Sequence, residues 1–123
     1  MNQVPEDIRE RTFRFALDTI NTSEHIPSTR SGNILAKQLI RSGTYFGANA
    51  QEALAAHSRT DFIYKNNIAL REARETSYLL RLVQAANLSR ESEIERLSDE
   101  SDQITKIFGA IVAKARGKSK GVD

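Results

Sequence analysis

Apolar residues recur three and four positions apart along nearly the whole chain, which is the spacing of amphipathic helices. This pattern predicts four helices, at about residues 5–24, 29–57, 60–86 and 92–116. The turns between them are short, so consecutive helices are expected to run in opposite directions. The sequence therefore predicts an all-α fold, with one antiparallel up-down-up-down four-helix bundle domain over residues 1–117 and a flexible basic C-terminal tail at residues 118–123.

The first two predicted helices each have one apolar side. In the first helix this side is broad, and it comprises Ile8, Thr12, Phe13, Phe15, Ala16, Leu17 and Ile20. The second helix places Gly43 and Gly47 one turn apart along one edge of its apolar stripe. Because glycine inside a helix costs about 1 kcal/mol relative to alanine, we interpret Gly43 and Gly47 as helix-packing notches that allow another helix to approach closely.

The third predicted helix is apolar on two sides. One stripe comprises Phe62, Ala69, Leu70, Ala73, Ser77 and Leu80, and a second, on the far side, is interrupted by Glu75. A helix that is apolar on two sides should be buried on two sides, and the core of a single bundle covers only one of them. The second stripe therefore predicts a homo-oligomer, with the candidate interface residues Tyr64, Ile68, Leu79 and Leu82.

Capping residues mark the expected helix ends. Ser58, followed by Asp61, and Ser92, followed by Glu95, are typical of capping boxes that open the third and fourth helices. The fourth helix has apolar residues in a heptad repeat, which favours packing in a bundle. We expect it to end at Gly117.

The composition excludes several functions. A chain of 123 residues and 13.8 kDa is long enough for one domain. It contains no cysteine, which excludes disulfides, thiol catalysis and cysteine-ligated metal sites and suits a cytoplasmic location. No apolar run approaches the ~20 residues of a membrane span, so no membrane contact is expected.

Positive charge has one candidate role. The net charge is only +2, but Arg30, Lys37 and Arg41 fall nearly on one line of the second predicted helix. Three cations on one subunit are typical of a solvated helix surface. If an oligomer repeated them around a rim, they would form a surface able to bind the phosphates of RNA or DNA. Arg30, Lys37 and Arg41 are therefore the candidate polyanion-binding residues.

Catalytic chemistry finds little support in the residue pattern. Glu52, Glu72 and Glu75 resemble an inward carboxylate cluster, but the Glu-x-x-His units of a di-metal bundle are missing. His57 is expected to be a partly buried structural histidine, and His25 is expected to face solvent in a turn. The sequence predicts no catalytic, metal-binding or cofactor-binding residue and no cofactor.

A longer match appears in the second and third helices. Residues 37–53 contain Leu-x-Arg-Ser-Gly followed by Gly-Ala-Asn-x-x-Glu-Ala, and residues 62–80 continue the similarity. These stretches resemble the bacterial four helix bundle protein family, also named 23S rRNA-intervening sequence proteins. The resemblance covers nearly the whole chain, with its most specific residues in the second helix.

The resemblance implies an assembly as well as a fold. It implies a closed four-helix bundle that forms a ring-shaped homopentamer, and it implies no catalytic residues. Some members lie within sequences inserted in ribosomal RNA genes. Similar proteins are accessory factors of diversity-generating retroelements, where a basic pentamer engages a reverse transcriptase and nucleic acid.

Three hypotheses for function follow. The first is a non-enzymatic homopentameric scaffold or nucleic-acid-associated accessory factor, whose partners are its own copies and RNA or DNA. The second is a protein–protein adaptor, for example for a reverse transcriptase, without nucleic-acid contact. The third is a metal-dependent bundle enzyme, which the missing ligand pattern disfavours.

Overall fold

Four helices account for most of the chain. A computed structural model describes residues 6–120, with side chains from residue 8 to residue 117. The helices are α1 (Glu6–Glu24), α2 (Arg30–Leu54), α3 (Arg59–Ala85) and α4 (Glu91–Lys120). Residues 6–120 contain no strand, which confirms the prediction of an all-α, four-helix fold.

The helices surround a single hydrophobic core to which all four contribute. Phe46 of α2 lies at its centre, with ring centroids 5.2 Å from Phe15 of α1 and 6.4 Å from Phe108 of α4. Each helix packs against two others, and these contacts are consistent with a bundle. Over the described residues no Cα atom of α1 comes within 8 Å of α3, so these two helices lie on opposite sides of the core.

Local capping explains where α2 and α3 begin. The Thr29 hydroxyl accepts a hydrogen bond from the Gly32 amide at 3.0 Å, which satisfies a free donor at the start of α2. The Ser58 hydroxyl accepts one from the Asp61 amide at 3.1 Å, so the predicted cap of the third helix is confirmed.

Asn87 ends α3. Its φ of 55° is left-handed, and the Leu88 amide donates to the Val83 carbonyl at 3.0 Å while the Asn87 amide donates to Gln84 at 3.1 Å. These two bonds form a Schellman motif, in which asparagine is the usual substitute for glycine. Leu88 then packs against the core.

Three predicted helix ends were wrong. Helix α2 ends at Leu54 rather than near residue 57, because Ala55 leaves helical geometry and its amide turns back to the Glu52 carbonyl. Helix α4 begins at Glu91, so Ser92 lies inside its first turn instead of capping it. Gly117 does not end α4, because the helix continues to Lys120 and Gly117 keeps a negative φ. The first three residues of the predicted tail are therefore helical, while residues 5 and 121–123 lie outside the described part of the chain.

Small side chains line the contact between α1 and α2. A Cβ atom added at Gly43 would lie 2.8 Å from Cγ2 of Thr19, and one at Gly47 would lie 3.2 Å from Cβ of Thr12. The Thr19 hydroxyl donates to the Phe15 carbonyl of its own helix at 2.8 Å, so it needs no partner in α2. The two helices therefore approach as closely as glycine permits at these positions.

This packing corrects the prediction for α1. Its buried side comprises Ile8, Thr12, Phe15, Thr19 and Thr22. Phe13, Leu17 and Ile20 were placed on the same broad apolar side, but they are exposed. The described helices include none that is long and apolar enough to cross a membrane.

Gly43→Ala should reduce the free energy of unfolding by about 1–2 kcal/mol. The new methyl group would collide with Thr19, and the cost of this collision exceeds the gain in helix propensity from alanine. The matched control is Gly109→Ala in α4, where no atom lies within 4 Å of the added Cβ. The control should instead stabilise the protein by up to about 1 kcal/mol. Urea denaturation at one fixed protein concentration measures both, and equal effects of the two variants would contradict the close contact.

Candidate functional site

The outward side of α3 carries a regular stripe of large side chains. Counting from Tyr64, the residues facing outward follow at alternating steps of four and three, and they are Ile68, Arg71, Glu75, Tyr78 and Leu82. Tyr64 and Tyr78 are 61% and 58% exposed, and Leu82 is 37% exposed. We call Tyr64, Ile68, Tyr78 and Leu82 the α3 ridge. Tyrosines exposed in this way are typical of interaction surfaces.

The predicted interface residues are only partly brought together. Tyr64, Ile68 and Leu82 lie on the ridge, whereas Leu79 is only 7% exposed and belongs to the core. At about 100° per residue, Leu79 lies about 60° around the helix from the Tyr64–Leu82 line, on the side that faces α2. Sequence reasoning missed Tyr78, although the heptad steps through Glu75 point to it.

A second apolar surface lies on α1. Phe13, Leu17 and Ile20 follow at steps of four and three; we call them the α1 face. Phe13 is 61% exposed. Beside it runs the α1/α2 groove, with a volume of about 180 Å³, whose lining consists mainly of small and polar side chains: Arg9, Thr12, Phe13, Ala16, Thr44, Gly47, Ala48 and Gln51.

A charge cluster joins α2 to α3. The guanidinium of Arg41 donates to Glu72 at 3.4 Å and makes a short contact with Glu75. It also donates to Gln38 at 3.3 Å and lies 5.7 Å from the centre of the Tyr45 ring. The hydrogen bond to Glu75, together with the charges of both carboxylates, raises the pKa of Arg41 above its usual value.

The three predicted polyanion-binding residues differ in their surroundings. Arg30 and Lys37 are exposed, and the described side chains offer neither of them an ion-pair partner within 4.0 Å. Arg41 is half-buried, and its guanidinium is hydrogen-bonded to two carboxylates. Arg30 and Lys37 lie two helical turns apart, and all three residues stay the predicted polyanion-binding residues.

The residues of the Leu-x-Arg-Ser-Gly stretch all have structural contacts. Leu39 is fully buried, and Arg41 reaches α3. Thr76 of α3 donates to the buried Ser42 hydroxyl at 2.9 Å, while Gly43 faces α1. Three consecutive residues of α2 therefore contact both neighbouring helices.

The second half of the stretch behaves in the same way. Gly47 faces α1 and Ala53 is buried in the core. Lys65 of α3 donates to Glu52 at 2.8 Å, and this hydrogen bond raises the pKa of the lysine. The residues that most closely resemble the family pattern thus make contacts between helices.

The two histidines lie at the surface. His57 is exposed, not partly buried as predicted, because α2 ends before it. His25 is exposed, and its Nδ1 lies 3.8 Å from Glu93, whose carboxylate accepts a hydrogen bond from Thr22 at 2.7 Å. Among the described residues no three His, Asp or Glu side chains are arranged to hold a metal ion. The hypothesis of a metal-dependent enzyme therefore finds no ligand set in this part of the chain.

The fold and its surfaces define an all-α, four-helix protein with two exposed apolar faces. A profile of the family described as 23S rRNA-intervening sequence protein matches residues 6–110, and the chain belongs to this family. The resemblance seen in the sequence is thereby confirmed.

A solved structure supports the same assignment. It is the crystal structure of a protein with unknown function from the S23 ribosomal protein family of Bacteroides thetaiotaomicron. The two chains are 35% identical and superpose with a TM-score of 0.79, over 85% of this chain and 97% of the other. No curated protein matches the sequence.

The charge cluster makes a prediction about polyanion binding. Arg41→Ala should change retention on a heparin column little, because the guanidinium is already matched by Glu72 and Glu75. Replacing both carboxylates, Glu72→Gln with Glu75→Gln, should free the guanidinium and raise the salt concentration needed for elution.

The matched control carries Glu91→Gln and Glu95→Gln, two exposed substitutions on α4 that change the net charge equally. If this control shifts elution as far as the α3 variant does, the effect comes from net charge and not from Arg41.

Proposed function

We propose that this protein is a non-enzymatic homo-oligomeric four-helix bundle, assembled as a homopentameric ring, that acts as a scaffold or nucleic-acid-associated accessory factor. The observation that carries the proposal is the α3 ridge. Two tyrosines and a leucine lie exposed on one heptad line, on the side of α3 that the core does not cover. Regular apolar stripes of this kind are how helices recognise other helices.

We propose the antiparallel up-down-up-down topology for each subunit. The order of facing residues supports it, because numbers rise in one helix as they fall in its neighbour. Thr12 is beside Gly47, and Thr19 is beside Gly43. The same descending order holds for the ion pairs between α1 and α4, which are Arg11–Glu100 and Asp18–Arg96.

The first test concerns assembly. Tyr64→Glu with Leu82→Glu should convert the oligomer into a smaller species that keeps its helical circular dichroism, because both side chains are exposed and outside the core. Size exclusion with light scattering measures the mass. The control is the single substitution Ile34→Glu on α2, which replaces an apolar residue about as exposed as Tyr64 but away from the ridge. An unchanged mass in the Tyr64/Leu82 variant would exclude the ridge as an interface.

Assembly would also strengthen a weak polyanion surface. Arg30 and Lys37 are two exposed cations on α2, and a pentamer would present ten of them. Binding through such a surface would involve phosphates, not bases, so it would depend strongly on salt and little on sequence.

The second test concerns nucleic acid. Arg30→Glu with Lys37→Glu should abolish binding to single-stranded RNA or DNA homopolymers without changing the oligomer mass. The wild type should show log Kd rising with log salt concentration, at about 0.7 per phosphate contact. The control variant, Lys106→Glu with Lys114→Glu, makes the same charge change on α4. Equal losses in both variants would indicate an effect of net charge, and undiminished binding in the first would exclude these residues.

The pairing of Arg41 favours a second candidate. One of the three predicted phosphate-binding cations, Arg41, is already paired with two carboxylates. The second candidate function is therefore that of a protein–protein adaptor, with a partner such as a reverse transcriptase and no nucleic-acid contact. An oligomer that purifies without excess absorbance at 260 nm and binds no homopolymer at low salt would favour the adaptor.

A further inference from the structure

We propose that the α3 ridge of one copy docks on the α1 face and α1/α2 groove of a second copy, so that the subunits associate head to tail. This inference rests on the proposed self-assembly and deepens it, because it names the surface that receives the ridge.

The placement of the two faces is the first argument. Helices α1 and α3 lie on opposite sides of the core. A chain therefore cannot cover its α1 face with its own ridge. Each copy presents one apolar surface on each of two opposite sides, which is the arrangement required for a repeating contact.

The shapes of the surfaces are complementary. The ridge presents large side chains, namely Tyr64, Tyr78 and Leu82. The lining of the groove beside the α1 face includes the small residues Ala16, Gly47 and Ala48. Large residues on one helix seat well between the helices of a partner where the partner's residues are small, as in ridges-into-grooves packing.

The exposed area favours this pairing over a symmetric one. Aromatic side chains offer about 150–250 Å² each, so the exposed parts of Phe13, Tyr64 and Tyr78 amount to roughly 300 Å². Adding the exposed aliphatic side chains of both surfaces brings the apolar area to on the order of 500 Å². That is the apolar share expected of an interface of about 1,000 Å². A symmetric ridge-to-ridge dimer would leave both α1 faces in water.

Symmetry then limits the assembly. A contact between two different surfaces is heterologous, and repeating it gives a closed ring when the rotation closes. No end subunit remains with an uncovered face in such a ring. The proposed pentamer needs a contact of this class.

Complementation between two variants tests the inference. The first variant loses the α1 face through Phe13→Asp and Leu17→Asp, and the second loses the ridge through Tyr64→Asp and Leu82→Asp. Each alone should be a helical monomer by light scattering. Mixed in equal amounts, they should form one heterodimer, because one intact ridge meets one intact groove and the chain of contacts stops there.

The other outcomes are distinguishable. If the first variant dimerises with itself, the contact is ridge to ridge, and if the second does, it is α1 face to α1 face; either result overturns the head-to-tail contact. A mixture that stays monomeric, although the wild type is oligomeric, also overturns it. A monomeric wild type would overturn the proposed function itself.

Cross-linking tests the same contact without disrupting it. The chain has no native cysteine, so Ala48→Cys in the groove and Arg71→Cys beside the ridge provide unique thiols. A short bis-maleimide should link a mixture of the two single variants but neither variant alone. The double variant should give a ladder of covalent oligomers whose largest member is the ring. Links formed within either single variant would contradict the proposal.

Discussion

The close contact between α1 and α2 determines much of the rest of the structure. The side chains of Thr19 and Thr12 are the nearest neighbours of Gly43 and Gly47, and they lie where a larger residue on either helix would collide. The threonine side of α1 must therefore face α2, which rotates the larger residues Phe13, Leu17 and Ile20 outward. The exposed α1 face is thus a direct consequence of the packing between two helices, and it places an apolar surface opposite the one on α3.

The residue next to Gly43 in α2 contacts α3, so the position of α2 against α1 also fixes its position against α3. Successive side chains of a helix point about 100° apart, so Ser42 and Gly43 face different neighbours. Ser42 and Thr76 are both buried and hydrogen-bonded to each other, and the Thr76 hydroxyl also lies 2.8 Å from the Glu72 carbonyl of its own helix. The consecutive residues Arg41, Ser42 and Gly43 therefore join α2 to α3 through two side chains and to α1 through the glycine.

Features that depend on contacts between residues close in sequence could be predicted, and features that depend on contacts between helices could not. Helix number and the Ser58 cap were predictable, because spacing and capping act within a few residues. The exposure of Phe13 was not, since a helix that is apolar over half its circumference does not reveal which part faces the core. Leu79 lies only about 60° from the ridge, and the neighbour that buries it is on another helix. The carboxylates matched to Arg41 follow 31 and 34 positions later, beyond any local pattern.

The charge cluster and the ridge are best understood together. Glu75 lies on the same heptad line as Ile68 and Tyr78, so it would interrupt an otherwise apolar contact. Burying an unpaired carboxylate in an interface is costly, whereas a carboxylate that is already paired and hydrogen-bonded is much less so. Arg41 reaches from α2 and provides that partner within the single chain. If the proposed assembly buries the ridge, Arg41 would therefore lower the cost of burying Glu75 in it.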